Sequence, residues 1–341
     1  MTTCLVTGGA GFIGSHLATY LLDRGHAVVV LDDLSGGSRA NVDPRAELVV
    51  GSVAEPSDVD AVFAAHKVDR VYHFAAFTAQ VVSHFAKRLN YDANVRGSVN
   101  VINAAIQHRV STVVFASSVA VYGDLPSPLR EVDLATPVDS YGLGKLTVER
   151  ELEITRRHFG LDYVAFRIFN VYGERQLLAD PYRNAVGIFV NQVMRGEPLS
   201  VYGSGEQVRA FTYVSDIIPV LADAPEVPGT TGRIFNVGSN QLSSLNQLAE
   251  AVRIAMGVPD QPIAHIPARD EVSVVYTDTT LAREVFGNWA DTPLAEGLAR
   301  TVKWAAGMGP QELSTWIDLE LGTDRLPDWL RHVVGRLDRQ Q

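Results

Sequence analysis

A tyrosine and a lysine four residues apart, in Ser140-Tyr141-Gly142-Leu143-Gly144-Lys145, are the side chains of this sequence best suited to moving a proton. On a helix, residues four apart share a face, one turn above the other. An ammonium held beside a phenol favours the phenolate, so Lys145 is expected to draw Tyr141 down from its ordinary value near ~10 toward working pH. A tyrosine so tuned suits general acid or base work. Two serines, Ser117 and Ser118, precede the pair and supply hydroxyls. A solvated Tyr-Lys pair on an amphipathic helix has the same spacing, so the surrounding elements must decide between the two.

Residues 3–7 read as a short apolar strand. Gly8-Gly9-Ala10-Gly11-Phe12-Ile13-Gly14 follows, then a helix over 15–24 and a strand over 27–31 that stops at Asp32-Asp33. Strand, glycine turn, helix and strand in close succession is the setting in which a backbone approaches a dinucleotide pyrophosphate. The N–H groups at the helix start then carry the charge. Asp32, ending the second strand, is placed to hold both ribose hydroxyls and would repel a 2′-phosphate, so NAD is favoured over NADP.

The alternation continues with strands over 47–50, 68–75, 112–116 and 162–169 and helices over 55–66, 90–109 and 140–158. Repeated β-α units define an α/β fold, a Rossmann-type doubly wound parallel sheet with helices on both faces. Ligands collect at the carboxyl ends of such strands. The glycine turn, Asp32, Phe74-Ala75-Ala76, Ser118 and Asn170 all fall at those ends, which favours the catalytic reading of Tyr141 and Lys145.

Beyond residue 173 the regularity weakens. A loop over 176–184, a helix over 186–195, a strand over 199–202 and a turn over 203–206 come first. A helix over 215–222 broken near Pro219, a strand over 233–237 and helices over 244–256, 280–286 and 295–304 follow. The expected division is an NAD-binding domain over 1–169, with 213–238 returning to it. A smaller, discontinuous α/β substrate-binding region over 170–212 and 239–312 would cap the sheet's carboxyl edge. The role of 313–341 is left open.

Composition narrows the partners. At 46% hydrophobic and 20% charged residues, the 341-residue chain matches ordinary globular proteins. A net charge of −10 argues against nucleic acid or an anionic membrane as the main partner, while leaving room for local arginines to bind a small anion. Cys4 stands alone in an apolar run, a buried structural thiol that excludes an internal disulfide and a cysteine-rich metal site; no metal is expected. No apolar stretch spans a bilayer, and the N-terminus carries no charged leader, so a cytoplasmic protein is the expectation.

Taken in order, the motifs resemble the extended short-chain dehydrogenase/reductases that act on nucleotide sugars, over residues 3–305. The markers are Thr7-Gly8-Gly9-Ala10-Gly11-Phe12-Ile13-Gly14, Leu31-Asp32-Asp33-Leu34, His73-Phe74-Ala75-Ala76 and Asn94-Val95-Arg96-Gly97. Ser117-Ser118-Val119-Ala120-Val121-Tyr122-Gly123, Tyr141-Gly142-Leu143-Gly144-Lys145 and Arg167-Ile168-Phe169-Asn170-Val171-Tyr172-Gly173 complete them. The resemblance implies that Ser118 hydrogen-bonds a sugar hydroxyl, Tyr141 exchanges its proton, and Lys145 holds the nicotinamide ribose. It implies NAD contacts from Gly8, Gly11, Phe12, Ile13, Gly14, Asp32, Asp33, Leu34, Ser35, Gly36, Ser52, Val53, Phe74, Ala75, Ala76, Thr78, Asn94, Tyr141, Lys145 and Phe169. Substrate contacts are implied for Thr78, Ser118, Tyr141, Asn170, Val186, Tyr202, Arg209 and Arg269. Of these, Asn170, Arg209 and Arg269 match residues that hold the nucleotide diphosphate, where arginine's planar fork suits phosphate oxygens. A homodimer through the helices over 94–109 and 140–158 is implied as well.

Within that family, members similar to the 4,6-dehydratases place an acid pair or Ser-Glu after the serine, because removing water needs an extra acid and base. UDP-glucuronate decarboxylases usually keep a glutamate at the second position. Val119-Ala120 cannot move protons, so reversible C4 oxidation of a UDP-hexose, as in the 4-epimerases, is the expected chemistry. The dehydratase or decarboxylase reaction, and a non-catalytic NAD-binding regulator, are the alternatives. Gly51-Ser52, Ala210, Ser140 and Gly144 depart from the family pattern, and Thr78 stands where hexose epimerases often carry lysine. The stretch 269–278 is one residue short, and Val275 matches a gate whose bulk sets tolerance for a C2 N-acetyl group.

Overall fold

The computed structural model describes residues 2–269 and 271–338; Asp270, within the stretch 269–278 singled out above, lies outside them. Six strands come from the first half of the chain: β1 (Thr3–Thr7), β2 (Ala27–Asp32), β3 (Glu47–Val50), β4 (Arg70–His73), β5 (Thr112–Ser118) and β6 (Asp162–Ile168). With Arg233–Val237 they form a parallel sheet in the order 233–237, β6, β5, β4, β1, β2, β3. The direction of winding reverses between β1 and β4, which opens a crevice at their carboxyl ends. Parallel strands bury both faces, and the side chains of β1 divide accordingly. Cys4 and Val6 join the core under one layer, while Leu5 joins Val29, Val71 and Val113 under the other.

The helices in the first two-thirds of the chain are α1 (Phe12–Asp23), α2 (Pro56–Ala65), α3 (Lys87–Tyr91), α4 (Gly97–Gln107), α5 (Ser140–Phe159), α6 (Ala185–Met194) and α7 (Val214–Asp223). The helix predicted over 90–109 is interrupted: a π turn over Asp92–Arg96 separates α3 from α4. At its end a Cβ on Gly97 would lie 2.7 Å from Val53 Cγ2, so this segment sits unusually close to the chain after β3. The break expected at Pro219 does not occur, for α7 runs straight through it. Proline removes one N–H bond, but most of α7 is buried, and burial of that face holds the helix. The strand predicted over 112–116 reaches Ser118.

Smaller sheets lie beyond the carboxyl edge. Val208–Ala210 pairs with Leu242–Ser244 and Val274–Val275, and Leu199–Tyr202 pairs with Ile263–Ile266. The stretch after residue 312, which the sequence leaves open, crosses the cleft and ends in a helix, Asp328–Asp338. Its Ile317, Leu326, Leu330 and Val333 pack in one apolar cluster with Phe77, Ala120, Tyr182 and Tyr141. No helix among the described residues is long and apolar enough to cross a membrane.

Candidate active site

A cleft of about 1280 Å³ opens over the carboxyl ends of the strands. Its floor begins at the glycine turn. A Cβ on Gly8 would strike Ala75 N at 2.6 Å, and one on Gly14 the Gly8 carbonyl oxygen at 2.2 Å, so turn, β4 end and helix start touch backbone to backbone. Above Gly11 a Cβ would meet only that carbonyl, at 3.1 Å, leaving the turn open to the cleft. Gly11 caps α1 without a side-chain bond, so the first N–H groups of the helix are available to an anion. Asp32 accepts from Ala10 N at 2.9 Å and Leu34 N at 2.8 Å, which fixes its carboxylate at the cleft wall. Burial pushes that carboxyl up, and the N–H bonds from Leu34 and Ala10 oppose it. These residues fit a dinucleotide: an open glycine cradle, an uncapped helix start and an acid at ribose distance along the chain.

Ser118, Tyr141 and Lys145 line the same cleft. Asp139 caps α5 by accepting Gly142 N at 2.6 Å, which starts the helix so that Tyr141 and Lys145 face the cleft. A Cβ on Gly142 would lie 2.4 Å from the Ala120 carbonyl oxygen, so glycine lets α5 close on the turn after β5. Ser118 ends β5 and accepts from Ala120 N at 3.2 Å. Lys145 Nζ donates to the Ala116 carbonyl at 2.8 Å and lies 5.8 Å from the centroid of the Tyr141 ring.

The electrostatics correct one expectation. Tyr141 is pushed up to about 12 by burial, opposed by a hydrogen bond with Ser118 and by the charge of Arg183. Lys145 is itself brought down to about 7 by burial, against the pull of Glu149. Both groups are sealed in the same low-dielectric pocket, and a lysine losing its own charge cannot draw the phenol down. His73, wedged between Thr7 Oγ1 at 2.7 Å and Ser98 Oγ at 2.8 Å, is lowered to about 3 by burial and by Lys145, and stays neutral.

Of the residues expected from sequence, the cleft gathers Gly8, Gly11, Phe12, Ile13, Gly14, Asp32, Asp33, Ser35, Gly36, Ser52, Val53, Phe74, Ala75, Ala76, Thr78, Ser118, Tyr141, Lys145, Phe169, Asn170, Tyr202, Arg209 and Arg269. Leu34, Asn94 and Val186 do not line it. Asn94 is sealed away, donating to Phe77 O and Asn90 Oδ1, and Val186 is fully buried at the start of α6. Arg209 takes its acid from elsewhere in the chain: with Ala210 beside it, it pairs with Glu271, Nη2 to Oε2 2.8 Å. Arg269 stacks on Tyr202 at 3.5 Å and on Trp329 at 4.6 Å. At Gly51-Ser52, Asp58 accepts Ser52 N at 2.9 Å, but its side chain does not line the cleft.

Several lining residues escaped the sequence. Arg183, Gln176, Trp316, Trp329, His332 and Arg336 face the cleft. Gln176 is buried, and neither its amide nitrogen nor its oxygen has a partner among the described residues. The aromatic and basic residues of 313–336 were the one available signal, and they carry no periodic pattern that ties them to a site.

Fold and site together define a dinucleotide-binding enzyme with a Ser-Tyr-Lys set at the sheet's carboxyl edge. The profile of the NAD dependent epimerase/dehydratase family matches residues 4–238, and the chain belongs to that family. It is 33% identical over 305 residues to the putative UDP-glucose 4-epimerase of Methanocaldococcus jannaschii, covering 88% of this chain and 97% of that protein. It is 34% identical to UDP-glucuronic acid decarboxylase 1 of Arabidopsis thaliana, with 87% of this chain and 68% of that protein covered. Among solved structures, the UDP-glucose 4-epimerase of Thermotoga maritima with UDP-glucose superposes with a TM-score of 0.85 at 31% identity. That match covers 90% of this chain and 99% of the other. The Thermus thermophilus UDP-glucose 4-epimerase complex with NAD gives 0.83 at 30% identity, with 90% and 99% covered. NAD is the cofactor, and nucleotide-sugar chemistry of the epimerase/dehydratase type is the activity.

Proposed function

We propose that the chain is a UDP-hexose 4-epimerase. The observation carrying this reading is the surface around Ser118, Tyr141 and Lys145. The two residues after Ser118, Val119 and Ala120, line the cleft and cannot transfer protons. Two nearby acids are committed elsewhere: Asp139 accepts from Gly142 N and Gln80 Nε2, and Asp180 from Tyr182 N and Arg183 Nε. Elimination needs an acid and a base beyond the tyrosine, so redox exchange at C4 is the economical reaction.

Held by the glycine turn and Asp32, NAD would supply a reversible hydride acceptor and a positive charge that would favour the Tyr141 phenolate. Ser118 orients the sugar O4 hydroxyl, and Tyr141 takes its proton as the 4-keto sugar forms. Arg209 and Arg269 hold the nucleotide end while the hexose turns over. Once the hexose has turned over, Tyr141 gives the proton back to O4, which leaves the 4-epimer. A firm grip far from C4 and a loose one on the hexose lets one intermediate sit in two orientations. Thr78 and Val275 line the same cleft and are our candidates for setting which hexose enters. Pairing of two copies through α4 and α5 is also part of this reading, supported by the exposed Val99, Leu143 and Ile154 on those helices.

The test is incubation with UDP-glucose, UDP-N-acetylglucosamine and UDP-glucuronate, read by mass and by C4 configuration. An epimer of unchanged mass is expected. Loss of water or of carbon dioxide would replace this reading with the dehydratase or decarboxylase one.

A further inference from the structure

Gly36 lies in the loop that follows Asp32, and the space above it is taken by two nitrogen donors from distant parts of the chain. A Cβ placed on Gly36 would lie 3.1 Å from Arg183 Nη2 and 3.4 Å from Trp316 Nε1. The next residue, Gly37, presses on the glycine turn, where a Cβ would come within 2.8 Å of Ala10 C and 3.0 Å of Gly11 N. The two donors therefore stand beside the uncapped start of α1, where the cofactor's diphosphate has its N–H groups.

Both donors are held in place, and one of them, Trp316 Nε1, lacks an acceptor among the described residues. Arg183 is fixed through Nε, which donates to Asp180 Oδ2 at 3.2 Å. Asp180 is fully buried, and its other oxygen accepts Tyr182 N at 2.9 Å. With that grip Arg183 lines the cleft and its Nη2 lies over Gly36. Trp316 packs edge-on against Phe77, with ring centroids 6.0 Å apart, and its buried Nε1 has no hydrogen-bond partner among the described residues. A buried N–H without an acceptor is costly, and an anion would satisfy it. The stretch carrying Trp316 is tied down on both sides. Gln311 exchanges hydrogen bonds with Asn191 of α6, and Glu320 accepts Arg88 N and Leu89 N of α3.

We propose that Arg183 and Trp316 form a clasp on the diphosphate of the bound dinucleotide, adding charge and a second set of donors to the glycine turn so that the cofactor is retained through many turnovers. The proposal rests on the cofactor, not on which sugar is converted. A diphosphate also belongs to the nucleotide-sugar substrate. The clasp is assigned to the cofactor because Gly36 follows Asp32 in the same loop, while Arg209 belongs to one of the smaller sheets and Arg269 stacks on Tyr202 of another.

The experiment uses the full chain loaded with NAD, with Trp316→Phe, Arg183→Gln and the double variant. Cofactor loss after dilution is followed by assaying the NAD that remains bound and is released on denaturation, and UDP affinity is measured by calorimetry. Each single variant is expected to speed NAD loss roughly tenfold, the double variant further, with UDP affinity unchanged. Trp316→Phe removes the N–H together with part of the indole while keeping an aromatic ring against Phe77, so with a melting curve that shows it folded it decides the matter even if Arg183→Gln folds poorly. Unchanged NAD retention in Trp316→Phe would overturn the clasp, as would a fall in UDP affinity with NAD retention intact. An unaltered chain that bound no NAD would overturn the cofactor reading and the clasp together, whereas a different sugar product would touch neither.

Discussion

Arg167 and Glu149 meet through two parallel bonds, Nε to Oε1 at 3.0 Å and Nη2 to Oε2 at 2.7 Å, with both side chains sealed from water. Ser117 Oγ donates to the same carboxylate at 2.5 Å, and the guanidinium lies 4.6 Å over the Tyr122 ring. This network joins β5, β6 and α5 directly behind the catalytic set. Removing one partner strands a buried charge, which costs about 3–5 kcal/mol, whereas removing both can be nearly neutral. Glu149→Gln or Arg167→Met alone should therefore lower stability by that order, and the double variant should recover much of it. Urea unfolding of the four proteins in the cycle measures this.

Tyr141→Phe should cut turnover by roughly 10²–10⁴-fold while leaving NAD bound, because the phenol is the proton carrier and the glycine turn holds the cofactor without it. Steady-state kinetics beside a cofactor assay separates the two. Turnover close to the unaltered rate would remove Tyr141 from the mechanism.

The stability of the cofactor-free chain should rise with pH between about 7 and 9. Lys145 sits near 7 when folded and in the ordinary lysine range when unfolded. Across that window the unfolded chain holds a proton that the folded chain has released, so raising the pH favours folding. Below about 7 both states are protonated, and the cost of the buried charge is fully present. Above 9 the buried Cys4 thiol and Tyr141 phenol, both pushed up by burial, act in the opposite direction. Melting temperatures of the unaltered chain and of Lys145→Met check this; the variant should show a flatter profile.

Arg209→Gln should raise KM for a UDP-sugar by about tenfold with little change in kcat, since a diphosphate contact far from C4 binds ground and transition states alike. Equal loss in kcat would place Arg209 in the chemical step.

Much of this was readable from local pattern. The glycine turn, Asp32, the alternating strands and helices, and the Tyr141–Lys145 spacing each lie within one β-α unit, where hydrophobic period and turn residues speak directly. What escaped depends on distance or environment. Arg183 and Trp316 come from irregular segments far apart in sequence, and no period marks them. Glu271, from a distant loop, pairs with Arg209 where Ala210 carries no acid. The reversal at Tyr141 and Lys145 follows from desolvation, which spacing cannot report. The uninterrupted α7 shows packing overriding Pro219.

The bond from Lys145 Nζ to the Ala116 carbonyl ties α5 to β5. Ala116 lies two residues before Ser118 on the same strand, while Lys145 shares its helix with Tyr141. That single contact indexes the helix against the strand, as a pin aligns two plates. Hydroxyl, phenol and ammonium are thereby spaced by the repeat distances of regular backbone, so thermal sliding of α5 along the sheet would have to break this bond before it could misalign the reacting groups.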